Sequence, residues 1–222
     1  MPQFYVVETT MASDHRLFAG GQWVNDERRR CPLCGMFLEG SEPAIIEIAL
    51  NHLGSYGFAE YLWNSHSLPI FREDVVKLWK ESKLTGFEAK PVRIVGWYED
   101  SSKPLPVDIP RYFRIVVTSK VRLTPSHNVM NNCSRCNVVQ YMFPSSGRMT
   151  DGLDIDTVSW DGSDLFALRG YDFMFCTYRV AHVTLAAGFN KQVAFVRVSD
   201  WGTWEEFSVA RWKPREYKMY LE

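Results

Sequence analysis

Residues 72–98 read REDVVKLWKESKLTGFEAKPVRIVGWY, and the two parts of this stretch obey different rhythms. Val75, Val76, Leu78, Trp79 and Leu84 recur at roughly helical spacing, with Glu73 and Asp74 in the first turn and Gly86 as a stop. Acidic residues favour the positive end of a helix dipole, so the pattern predicts a helix closed by that glycine. From Phe87 to Tyr98 the chain reads as a strand. Helix and strand in one passage point to an α+β chain.

Later in the chain, YDFMFCTYRVAHVTLAAGFNKQVAFVRV (171–198) repeats that order: a short strand, a helix around 177–187, Gly188, and a strand ending at Val198. A duplicated α+β unit and a chance echo of common helix-to-strand passages both account for this, and the sequence leaves both open. The segment between, SSKPLPVDIP (101–110), holds three prolines and two serines and reads as a stiff loop. We therefore expect one compact α+β body over 1–222, mixed sheets with a few helices, divisible into halves 1–100 and 111–222. RYFRIVVTSKVRL (111–123) is expected as one long strand, with further β-prone runs at Phe4–Val7 and in NVVQYMF (137–143).

Each half carries a C-x-x-C pair, CPLCG at 31–35 and CSRCN at 133–137, with 98 residues between them. A C-x-x-C turn aims both sulfurs to one side. Two such turns face to face supply the four-cysteine tetrahedron that Zn²⁺ takes, at about 2.3 Å per sulfur. The residue after each pair needs a left-handed backbone, which Gly35 gives without strain and Asn137 tolerates. Cys31, Cys34, Cys133 and Cys136 are thus the expected ligands of a zinc-ribbon-like structural Zn²⁺ site. A dithiol redox pair is the competing reading, but its motif would follow a strand and open a helix, whereas Asn137 leads into a β-prone run. Cys176, in an apolar and aromatic run, is expected to be packing.

Charge and composition exclude more than they assign. The chain has 25 basic and 26 acidic side chains, a formal net charge of −1, so no broad basic face for nucleic acid is expected. Arg28, Arg29, Arg30 and Arg135 beside the knuckles keep a nucleic-acid-binding zinc ribbon as an alternative. No apolar run is long enough for a membrane helix, and the start lacks a secretion signal, so a cytoplasmic protein is expected. His15, His52, His66, His127 and His182 show no metal-ligand spacing, and no nucleophile elbow or phosphate loop occurs. The sequence shows no enzyme.

A partner surface is suggested by DGLDIDTVSWDGSD (151–164), which has five aspartates and no basic residue. Asp151, Asp154, Asp156, Asp161 and Asp164 would speed encounter with a basic partner and Trp160 would anchor it, against the plainer reading of a solvated loop. The C-terminal aromatics Trp201, Trp204, Trp212 and Tyr217 form a second candidate surface.

The two knuckles, the opening FYVVE, the phrase LTGFEAKPV and the later WDGSDLF together resemble the double-CXXCG-motif proteins best known from myxobacteria. Asn137 stands where that motif has its second glycine. Members of that family are regarded as immunity proteins of polymorphic toxin systems. The resemblance implies a cytosolic protein that binds and blocks a cognate toxin, with Cys31, Cys34, Cys133 and Cys136 as its metal set.

Overall fold

Thirteen strands and two helices make up the computed structural model, which describes residues 2–9, 19–26, 28–38, 40–41, 43–64, 68–124, 129–141, 153–169, 171, 174–190 and 193–199. In chain order they are β1 (Phe4–Thr9), β2 (Gly20–Trp23), β3 (Ile46–His52), β4 (Trp63–Asn64), β5 (Ile70–Arg72), α1 (Glu73–Glu81), β6 (Phe87–Trp97) and β7 (Tyr112–Val117). Then follow β8 (Lys120–Val121), β9 (Val129–Asn132), β10 (Val139–Tyr141), β11 (Leu165–Leu168), β12 (Met174–Thr177), α2 (Tyr178–Ala186) and β13 (Val193–Arg197). The fold is α+β, with a six-stranded mixed sheet in the order β4-β2-β3-β6-β7-β5 and a five-stranded one in the order β13-β1-β12-β11-β8. The hairpin β9–β10 stands apart from both.

Helix α1 starts where its spacing predicts, burying Val75, Val76 and Trp79, with Glu73 and Asp74 in the first turn and Lys80 in the last, but it ends at Glu81, short of Leu84 and of the expected stop at Gly86. Helix α2 buries Val180, Ala181 and Thr184, each 105 residues after its counterpart in α1. The two helices also end alike. Ser82, Lys83 and Leu84 donate to the carbonyls of Leu78, Lys80 and Trp79, and Ala187, Gly188 and Phe189 repeat this bond for bond on Val183, Leu185 and Thr184. The left-handed residue of that cap is Lys83 (φ 53°) in one helix and Gly188 (φ 82°) in the other.

The strands repeat in the same way. β7 lies antiparallel between β5 and β6, the strands flanking α1. β1 lies antiparallel between β12 and β13, the strands flanking α2. Register matches too: Arg72 faces Tyr112 as Thr177 faces Phe4, and the parallel pair β2–β4 answers the parallel pair β8–β11. The echo between 72–98 and 171–198 is therefore a repeated topology. In it the leading strand of each half is inserted into the sheet of the other, so neither half completes its sheet alone.

A shared core takes Tyr5, Cys176 and Phe195 from the five-stranded sheet, Phe71 and Ile115 from the six-stranded sheet, and the buried faces of both helices. Because strand side chains alternate, the neighbours Phe4, Val6 and Phe175 build a second core on the opposite face of one sheet, as Ile70, Tyr112 and Ile48 do on the other. Trp79 and Thr184 hold equivalent positions and bond each other, Nε1 to Oγ1 at 2.8 Å. Equivalent residues can touch only where the two repeats meet, so this pair marks a pseudo-two-fold axis.

One expected element is corrected. The single strand over 111–123 is two, because the chain leaves the six-stranded sheet after Val117 and enters the five-stranded sheet at Lys120. Buried Ser119 sits at the crossing, its carbonyl accepting from Ala167 and its hydroxyl donating to Asp161.

Candidate metal centre

Each knuckle is a tight turn whose bonds follow from the cysteine spacing. Gly35 N donates to Cys31 O at 2.8 Å and Cys31 N to Met36 O at 2.7 Å; Asn137 N donates to Cys133 O at 2.8 Å and Cys133 N to Val138 O at 3.0 Å. The residue after each pair is left-handed, Gly35 at φ 75° and Asn137 at φ 57°. Both expectations of the sequence are met, the glycine position and its asparagine substitute.

The fold brings the four sulfurs together, all within 4.8 Å of one another. Cys31 Sγ lies 3.8 Å from Cys133 Sγ, and Cys34 Sγ lies 3.5 Å from Cys136 Sγ. A tetrahedron with about 2.3 Å metal–sulfur bonds has edges of about 3.8 Å, whereas a disulfide needs about 2.05 Å. The set fits one ion. Cys31 and Cys133 are buried, Cys34 and Cys136 half-buried. The partners are again repeat equivalents, so the cluster straddles the same pseudo-two-fold relation as Trp79 and Thr184.

Backbone amides tune the thiols. Amides of Cys136 and then Arg135 aimed at Cys133 pull its thiol down to about 6, and the Cys34 amide lowers Cys31 in the same way. At Cys34 the Met36 amide also pulls down, but burial and the adjoining sulfurs outweigh it and push the thiol up to about 12. At Cys136 the Val138 amide and the Cys34 sulfur pull down, but burial and the Cys133 and Cys31 sulfurs outweigh them and raise the thiol. One thiol of each knuckle is thus lowered and the other raised where the four sulfurs crowd together.

Surrounding residues hold the knuckles to their own halves. The buried Arg28 guanidinium stacks 3.6 Å from the Phe37 ring and 4.5 Å from Trp23, and pairs with Asp26 at 2.9 Å. Arg30 also lies over the Phe37 ring, at 3.9 Å, with Nη1 donating to Gly35 O. Arg29 and Arg135 are exposed. The second knuckle is the tip of the β9–β10 hairpin. Tyr141 roots that hairpin, its hydroxyl accepting from Leu123 N and its amide donating to Tyr171 Oη.

The acidic segment divides: Asp164 is buried, Asp156 and Trp160 are half-buried, and Asp154 and Asp161 are exposed. Asp164 is 7% exposed and accepts from Thr85 N and Oγ1, Thr177 Oγ1 and Arg179 Nη1, tying one half to the other. Trp160 sets its ring edge-on to Phe4 at 5.0 Å and donates from Nε1 to Ser163 O. Asp161 is held below the usual carboxylate range by the Ser163 amide and then the Ser119 hydroxyl. Asp156 caps its own turn through Val158 N and faces Arg122, while Asp154 is exposed. Asp151 and the aromatics from Trp201 onward lie outside the described residues, as do His15, His66 and His127. Cys176 is fully buried in the shared core, where burial raises its thiol.

Among the described residues the four cysteines are the one cluster suited to a metal ion, and no helix is long and apolar enough to cross a membrane. No family model matches the chain, and no curated protein matches its sequence.

Proposed function

We propose that this chain is an immunity protein: a binding module, built around a structural Zn²⁺ in the Cys31–Cys34–Cys133–Cys136 site, that occludes a cognate bacterial toxin in the cytoplasm. The observation that carries the metal half of this reading is the cluster of four sulfurs, two of whose spacings, 3.8 and 3.5 Å, are near the edge of a four-thiolate zinc site, in which a tetrahedral ion would have no vacancy. A closed site is scaffold rather than reagent. The toxin half rests on the resemblance of the two knuckles and of LTGFEAKPV and WDGSDLF to the double-CXXCG-motif proteins.

The zinc reading has a direct test. Elemental analysis of the purified chain should find one zinc per molecule, and an iron site would betray itself by colour. For the toxin reading, the chain is mixed with the product of the neighbouring toxin gene. A tight complex that abolishes toxicity supports it, and no binding to any neighbouring toxin candidate removes it. A salt-dependent shift of labelled DNA or RNA would favour the nucleic-acid alternative, against which stands the burial of Arg28 between Trp23 and Phe37.

A further inference from the structure

The halves are joined in two ways that differ in strength. In the body, β1 and β7 are each inserted between strands of the opposite half, and both helices bury their apolar faces in one core. None of those bonds involves a knuckle. The first knuckle is fixed to its half by the Arg28 stack, and the second by Tyr141. Among the described residues, the side-chain links that cross the gap between them include the two sulfur pairs and one long hydrogen bond, Gln140 Nε2 to Cys34 O at 3.4 Å. No cysteine ligand belongs to the shared core.

We propose that the knuckles form a metal-operated latch: the ion closes segment 28–38 onto hairpin 129–141, and its loss lets them part while the two-sheet body stays folded. The proposal rests on the zinc reading and adds to it where the ion acts. Four sulfurs packed within 4.8 Å have little to hold them together once the cation is gone, since ionised thiolates repel and neutral ones attract weakly. The body has no such dependence. Opening would separate the exposed tips Pro32–Leu33 and Ser134–Arg135, which flank the same sulfur cluster, so a partner that reads both tips at once would bind only the loaded protein.

Hydrogen exchange on the full chain, zinc-loaded and after chelation, tests this. Exchange should quicken roughly tenfold or more in peptides from 28–38 and 129–141 and stay within about twofold in those covering β1, α1, β7, β12 and α2. Full-chain C133S/C136S should give the same pattern without chelator. Collapse of protection across both sheets on chelation would overturn the latch while leaving zinc binding intact, and so would release of bound zinc with no change at the knuckles. A purified chain without zinc, and without a thiolate band on adding Co²⁺, would remove the metal reading and the latch with it.

Discussion

Replacing Thr184 by Val tests the axis at which the two repeats meet. Trp79 and Thr184 are both fully buried, and the Trp79 indole N–H spends its one donor on Thr184 Oγ1 at 2.8 Å. Valine has nearly the volume of threonine, so packing is kept while the acceptor is lost. The Thr184 hydroxyl also donates to Val180 O at 2.7 Å, but that carbonyl keeps its place in the helix ladder and loses little. The cost is therefore that of a buried donor left without a partner, about 1–3 kcal/mol, and we expect about 2 kcal/mol. For a chain of this size that lowers Tm by about 4–8 °C. The assay is a urea midpoint on zinc-saturated protein, run as a double-mutant cycle with Trp79→Phe. Phenylalanine carries no N–H, so in that background Thr184→Val should cost under about 0.5 kcal/mol, a coupling of about 1.5 kcal/mol. Equal costs in both backgrounds, or a Thr184→Val protein as stable as the parent, would refute the hydrogen bond as a tie between the repeats.

Gly86→Ala should lower stability by about 3 kcal/mol or more in thermal melts, because a Cβ there would stand 2.0 Å from the Leu165 carbonyl oxygen on a backbone at φ 87°. Lys83→Gly should raise stability by about 1 kcal/mol by relieving the left-handed φ of 53° at the end of α1, as Gly188 already does in α2. Burial raises the Tyr112 hydroxyl above the ordinary tyrosine value of 10.0, so its contribution is whole below that pH and lost as pH climbs through the folded-state value. Urea midpoints should fall above pH 10, and Tyr112→Phe, which gives up the bond to Ala59 O, should flatten that fall. Zinc binding near pH 7 should release about two to three protons per ion, read by calorimetry in buffers of different ionisation heat, since Cys133 titrates at about 6 while Cys34 lies at about 12.

What the sequence disclosed was local. The face of α1, the acidic first turn and the left-handed residues after Cys34 and Cys136 are each set by neighbours a few positions away, and each appears where its spacing placed it. The repeat was audible only faintly, because the two helices share a pattern of buried positions and not the residues: Trp79 answers Thr184 and Val76 answers Ala181. Strand exchange left no mark on the sequence. Whether β1 pairs with β2 or with β12 depends on contacts more than 150 residues apart, and apolar alternation is the same for either partner. Direction is likewise not legible in the acidic run, of which Asp154 and Asp161 are exposed and Asp164 is buried. Composition records five carboxylates but not their direction, and Asp164 faces Thr85, Thr177 and Arg179 inside the fold.

The repeated topology also explains how two cysteine pairs so far apart in the chain can share one ion. Bringing distant segments together ordinarily carries the entropy of closing a long loop, and an isolated ribbon would have to meet that cost from metal binding alone. Here the exchanged strands and the shared core hold the loop closed apart from the cysteines, since β7 starts 24 residues before Cys136 and is fixed between β5 and β6, and β1 lies between β12 and β13. Each knuckle is then carried at corresponding places in two related halves, and the pseudo-two-fold relation that sets Trp79 on Thr184 also sets Cys31 on Cys133 and Cys34 on Cys136. In the proposed latch the body presents the ligands and an ion completes them. For that reason a substitution at one knuckle should be felt at the other more than in either sheet, which separates this centre from a zinc finger whose whole fold waits on its metal.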